Sequence, residues 1–67
     1  MIEKTIKIND TIYYIYNDCG EYKMTTKTNF NRYIQNAREI STFNGFTSAN
    51  QVINYLKQYS HDTIGVL

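Results

Sequence analysis

The stretch that most constrains the fold runs from Thr11 to Thr26, where Ile12-Tyr13-Tyr14-Ile15-Tyr16 and Glu21-Tyr22-Lys23-Met24-Thr25-Thr26 flank the turn residues Asp18-Cys19-Gly20. Ile, Tyr and Thr favour a pleated backbone, and turn chemistry separates the two runs, so the stretch specifies a β-hairpin. With Asn17 opposite Glu21, the loop is Asp18-Cys19-Gly20, and its glycine supplies the positive φ that a three-residue connection needs. That register sets Tyr16 against Tyr22, Tyr14 against Met24 and Ile12 against Thr26.

The preceding segment, Glu3 to Ile8, alternates with the same period of two. A three-residue turn, Asn9-Asp10-Thr11, sets Ile8 opposite Ile12 and Ile6 opposite Tyr14. One side of the resulting meander then carries Ile2, Ile6, Ile8, Ile12, Tyr14, Tyr16, Tyr22 and Met24, interrupted only by Lys4, whose stem can lie along the rim. The other side shows Tyr13 and Ile15 at its centre, flanked by Lys7 and Lys23. Aromatic and aliphatic anchors ringed by polar groups have the make-up of an interface core, so Tyr13, Ile15, Lys7 and Lys23 form the candidate protein-binding patch. A homodimer through the same face would conceal it equally well.

From Thr28 onward the period changes to 3.6. Phe30, Tyr33, Ile34 and Ala37 share one face of a helix expected from about Asn29 to Ile40, with Thr28 or Asn29 as its cap. Its outer face offers Arg32, Gln35, Asn36 and Arg38, residue types that grip phosphates or read base edges, and these are the candidate residues of an alternative nucleic-acid-binding reading. Ser41 to Thr47 reads as a connector around Asn44-Gly45, with Phe43 and Phe46 plugging the gap between helices and sheet. Ser48-Ala49-Asn50-Gln51 matches a capping box, and Ala49, Val52, Ile53, Leu56 and Tyr59 form the apolar stripe of a second helix. The final residues, Thr63 to Leu67, can add a strand to a sheet edge, close the core or dangle.

A chain of 67 residues has room for one domain and one modest core. Its unaided stability is expected to be only about 3–5 kcal/mol, which leaves little scope for a deep active-site pocket. Seven basic residues against six acidic ones, evenly spread, disfavour both a non-specific nucleic-acid binder and an acidic nucleic-acid mimic. A single cysteine, with no charged-then-apolar leader before the first strand, points to the cytoplasm. The longest apolar or aromatic run, Ile12 to Tyr16, is far too short to span a membrane.

Catalysis requires converging groups, and the inventory is thin. Cys19 is the sole thiol and sits at a turn, while His61 beside Asp62 follows the second helix, where capping is the ordinary role. One His and one Cys do not make a structural zinc site, and the three isolated glycines do not make a phosphate cradle. The expectation is therefore a non-enzymatic chain with no catalytic residue, metal or cofactor.

From Ile12 to Tyr59, an Asp-x-Gly hairpin followed by two amphipathic helices resembles the layout of small phage-encoded anti-CRISPR proteins. The abundance of Ile, Asn, Thr, Tyr and Lys, typical of AT-rich coding, agrees with a small gene of a phage or mobile element. The resemblance implies an inhibitor that occupies a surface of a host nuclease or regulatory complex. Several such inhibitors are strongly acidic and imitate DNA. At a net charge of +1 this chain departs from them, so the resemblance points to blocking a protein surface or an assembly step. It transfers no functional residues.

The fold expected from these observations is a single α+β domain over residues 1–67. A three-stranded antiparallel meander is packed on one face by two C-terminal helices, with a short C-terminal strand as an option.

Overall fold

The computed structural model describes the backbone of residues 2–31 and 40–67. Its elements are β1 (Ile2–Ile8), β2 (Thr11–Asp18), β3 (Glu21–Thr26), α1 (Lys27–Asn31), β4 (Ser41–Phe43), α2 (Ala49–Tyr59) and β5 (Ile64–Val66). The strands form one sheet in the order β4-β3-β2-β1-β5, with every neighbouring pair antiparallel. The α+β class and the central meander are as expected. The edges are not, because β4 arises within the expected connector and pairs with β3, and with β5 on the other edge the sheet grows to five strands. The last residues take the strand option, with Ile64 opposite Ile8 and Val66 opposite Ile6.

Both turns of the meander are one residue shorter than the sequence suggested. Ile8 pairs with Thr11, so Asn9 and Asp10 alone form the first loop, with Asn9 at a φ of 54°. Asp18 pairs with Glu21, leaving Cys19 (φ 53°) and Gly20 (φ 87°) as the second loop. Positive φ at both central residues is the signature of a type I′ turn, whose twist matches that of the flanking strands. Each shortening shifts the register by one, and a shift of one turns a strand over. Because β2 lies between the two turns, it alone is inverted. Ile15 pairs with Met24 and Lys4, and Tyr13 with Ile6 and Thr26, so the odd-numbered residues of β2 join the even-numbered residues of β1 and β3.

That inversion moves the core. Ile6, Ile15, Tyr22 and Met24 are buried with Ala49, Val52 and Ile53 of α2, and Ile8, Tyr13, Phe43, Phe46, Leu56 and Ile64 pack around them. Ile6, Ile15 and Val52 have no solvent exposure at all. The opposite face carries Tyr14 and Tyr16, and there Phe30 of α1 meets both rings edge-on at a centroid distance of 5.3 Å. The two helices therefore lie on opposite faces, a correction to the expected one-sided packing. The physical reason is that β2 is apolar on both sides and needs cover on both.

Local capping fixes the helix starts. α1 follows β3 without a loop, because the Thr26 hydroxyl accepts from the Asn29 amide at 3.2 Å; the helix begins two residues earlier than expected. Ile40 is not helical and Ser41 already belongs to β4. For α2, Ser48 is in extended backbone and its Oγ accepts from the Gln51 amide at 3.2 Å. The Gln51 side chain returns to accept from the Thr47 amide at 2.7 Å, so the capping box closes one residue further back than drawn from sequence. At the other end of α2, Asn9 ties the first turn to the α2–β5 connection, its side chain donating to Asp62 Oδ1 and its amide to the Thr63 carbonyl.

Candidate protein-binding surface

Four aromatic rings gather where β4 meets α2. Phe43, the last residue of β4, and Phe46 lie on either side of Asn44-Gly45, and the positive φ of Gly45 (83°) folds the loop so that the rings meet edge-on at 5.8 Å. Tyr55 of α2 contacts both, at 6.2 Å from Phe43 and 5.6 Å from Phe46. Tyr59, one helical turn further on, lies against Tyr55 at 4.8 Å with the rings tilted by 45°. The cluster runs from half-buried to open: Phe43 and Phe46 pack against the core, while Tyr55 is 43% and Tyr59 68% exposed. The two phenylalanines do plug the space between sheet and helix, as the sequence suggested. The tyrosines extend that plug into solvent, and Tyr59, expected on the buried stripe, is the most exposed large apolar residue among those described.

The electrostatics of this surface are simple. Between Ser41 and Ser60 the sequence that carries the rings holds a single charged side chain, Lys57, and otherwise offers hydroxyls and Asn and Gln amides. Such a surface can bury rings and pair with backbone or amide groups without desolvating a carboxylate. Rigid tyrosines with few rotatable bonds give large contact area at low entropic cost, the property that enriches them at interface centres.

The patch expected from sequence is dispersed. Ile15 is fully buried and Tyr13 is half-buried against the core beneath α2. Lys7 and Lys23 alternate with core residues and so stand on the other face of the sheet, together with Tyr14 and Tyr16. Tyr13 and Ile15 therefore do not form an open surface, because the shorter turns roll β2 over. Lys7 is exposed, whereas Lys23 donates to Asp18 Oδ2 at 2.7 Å. The hydrogen bond from Lys23, reinforced by its charge, holds the Asp18 carboxyl below its ordinary value; the same bond raises the Lys23 ammonium. Burial raises the neighbouring Tyr16 phenol, with Lys23 acting in the opposite sense. Arg32, Gln35, Asn36 and Arg38, the alternative nucleic-acid-binding residues, lie outside the described residues.

The isolated polar groups are accounted for locally. Both carboxylate oxygens of Asp62 are engaged, Oδ1 by Asn9 and Oδ2 by the Ser60 hydroxyl at 3.1 Å, so Asp62 is a connector latch rather than the orienting partner of His61. The Tyr22 hydroxyl donates to Glu3, 3.0 Å from either oxygen. Glu3 reaches it because the β1–β2 register slips between Ile2 and Lys4, making Glu3 the extra residue of a bulge. Cys19 is a free, exposed thiol, and no three potential metal ligands cluster among the described residues. No described helix is long and apolar enough to cross a membrane.

No protein-family model matches the chain, and neither a curated protein nor a solved structure matches it.

Proposed function

We propose that the chain is a small non-enzymatic protein-binding module whose contact surface is the aromatic cluster Phe43, Phe46, Tyr55 and Tyr59. The observation that carries this reading is the pair of solvent-facing tyrosines on α2, Tyr55 packed against the two phenylalanines and Tyr59 packed against Tyr55. Tyr59 contributes little to the core, yet its ring packs against Tyr55 at 4.8 Å, which is an arrangement suited to an interface anchor. The partner offers an apolar recess bordered by backbone or amide groups, since the segment from Ser41 to Ser60 that carries the rings contains no carboxylate of its own. The resemblance to anti-CRISPR proteins extends the proposal to a host defence or regulatory complex in the cytoplasm, with inhibition by occupying a surface.

Quantitative affinity capture from host extract, comparing the natural chain with a Tyr55→Ser, Tyr59→Ser double variant, tests this reading. A partner retained by the natural chain and depleted at least about tenfold by the variant, with its circular dichroism unchanged, supports the surface. Equal recovery of every partner by both proteins rejects it. The inhibitor reading is checked by co-expressing the chain with a nuclease complex so captured and measuring target cleavage, which the natural chain should suppress and the variant should not.

A further inference from the structure

The two edges of the sheet differ in what their backbones leave open. The Leu67 amide donates to the Thr5 carbonyl at 2.9 Å and the Asn9 amide to the Thr63 carbonyl at 3.1 Å. Hydrogen-bonded pairs alternate along an antiparallel ladder, so residues 63, 65 and 67 turn their backbone groups toward β1. Ile64 and Val66 turn theirs away, and no described strand pairs with them. The same alternation on the far edge leaves only Thr42 of β4 facing outward, because Ser41 and Phe43 pair with Met24 and Tyr22 in the direction of β3. The β5 edge thus presents two amides and two carbonyls in an extended run, and the β4 edge one of each.

β5 also lacks the usual protections of an edge. Ile64-Gly65-Val66 contains no charge and no proline, and no bulge interrupts its pairing with β1. Val66 is 48% and Leu67 65% exposed. A Cβ built on Gly65 would meet nothing within 4 Å, and its φ lies outside the left-handed region. The strand therefore has open space on that face.

From this we infer that β5 is a self-association edge, whose occupant is the β5 strand of a second copy of this chain. A two-fold axis through Gly65 sets Ile64 opposite Val66 of the second copy and the reverse. All four outward amides and carbonyls of each strand pair then meet donor to acceptor, and Gly65 faces its own equivalent in the closer, non-hydrogen-bonded position. The cross-strand neighbours are aliphatic, and no like charges are opposed within the strand. Head-to-tail pairing with β4 has no such match, because Thr42 alone faces outward there. The result is a closed dimer carrying one ten-stranded sheet, twice the five strands of one copy, with its two aromatic clusters at opposite ends.

Size sets the strength. A stable dimer buries about 800 Å² per partner. An edge of three residues buries a fraction of that, so the dissociation constant falls in the range of about 0.1–1 mM. Association is invisible at dilute concentration and substantial at millimolar.

Sedimentation velocity from about 10 μM to 2 mM, with amide exchange measured by NMR across the same series, tests the inference. The natural chain should pass from monomer to dimer, and the Ile64 and Val66 amides should gain protection with concentration while the Gly65 amide, held by β1, does not change. Val66→Pro removes an outward amide without touching the β1 ladder and should weaken association at least about tenfold. Val66→Lys provides the same test through charge should the proline variant fail to fold. A monomer at 2 mM overturns the inference. So does a dimer that survives both substitutions at Val66 or dissociates only with the Tyr55→Ser, Tyr59→Ser variant.

Discussion

The two faces of the central strand make the instructive comparison. On one, Ile15 and Tyr13 sit under α2 in a dry core with Ile6, Met24 and Val52. On the other, Tyr14 and Tyr16 meet the ring of Phe30 and share the face with Lys7 and Lys23. Both faces are apolar enough to be a core. Binary patterning therefore does not choose between them, and the choice falls to the turns: two loops, each of two residues, place Tyr13 and Ile15 of β2 inward and leave Ile12 with Tyr14 and Tyr16 on the other face. Hydrophobic pattern proposes which residues are buried, but loop length decides which side of a doubly apolar strand is buried deepest.

The largest effect should come from the buried side. Ile15→Ala deletes a fully enclosed side chain at a cost of about 2–5 kcal/mol. That matches the whole stability expected for a domain this small, so the variant should be largely unfolded at 25 °C in urea titrations. Tyr16→Ala on the opposite face loses half-buried area and the edge-on contact with Phe30, and should cost only about 1–2 kcal/mol. A reversed order of the two would break the comparison.

The turn comes next in size. Gly20→Ala forces a side chain into positive φ and should destabilise by about 1–2 kcal/mol. Cys19 already occupies the left-handed region, where Asn is better tolerated, so Cys19→Asn should raise stability by up to about 1 kcal/mol, seen as an upward shift in Tm. A three-residue loop would make the second substitution neutral.

The smallest effects are titrations on the Lys23 face. The folded Asp18 pKa is depressed, so its contribution is present above the ordinary carboxylate value and is lost as pH falls through the folded one; Asp18→Asn should flatten the acid limb of stability below about pH 4. Lys23 and Tyr16 are raised, so their contributions hold below about pH 10 and fade as pH rises through the folded values. Tyr16→Phe should therefore shallow the alkaline limb in thermal melts across pH. Asp18 and Lys23 are solvent-facing, so their effects should also shrink in high salt.

Much of the architecture was legible. The meander followed from the alternation of β1 to β3, and α2 from Ser48, Gln51 and the Ala49-Val52-Ile53-Leu56 stripe, because local propensity and tertiary packing agree there. Face assignment was not, since Asp18-Cys19-Gly20 supports both a two- and a three-residue loop and Cys19 is an unusual occupant of positive φ. Strand β4 was hidden because Ser41-Thr42-Phe43 is too short to show a period and is fixed by pairing with β3. The aromatic cluster left a partial signal: Tyr55 and Tyr59 are one helical turn apart, and Phe43 and Phe46 bracket Asn44-Gly45. Nothing local states that the two pairs meet, because β3–β4 pairing and α2 docking bring them together.

The inverted central strand is tested most directly by close contacts between backbone α-protons across the meander, which are shortest in non-hydrogen-bonded pairs. Two-dimensional NMR should show Ile15 against Met24 and Thr5 against Tyr14. Strong contacts between Tyr14 and Met24 and between Tyr16 and Tyr22 instead would turn β2 back over, restore Tyr13 and Ile15 to the open face and contradict the account.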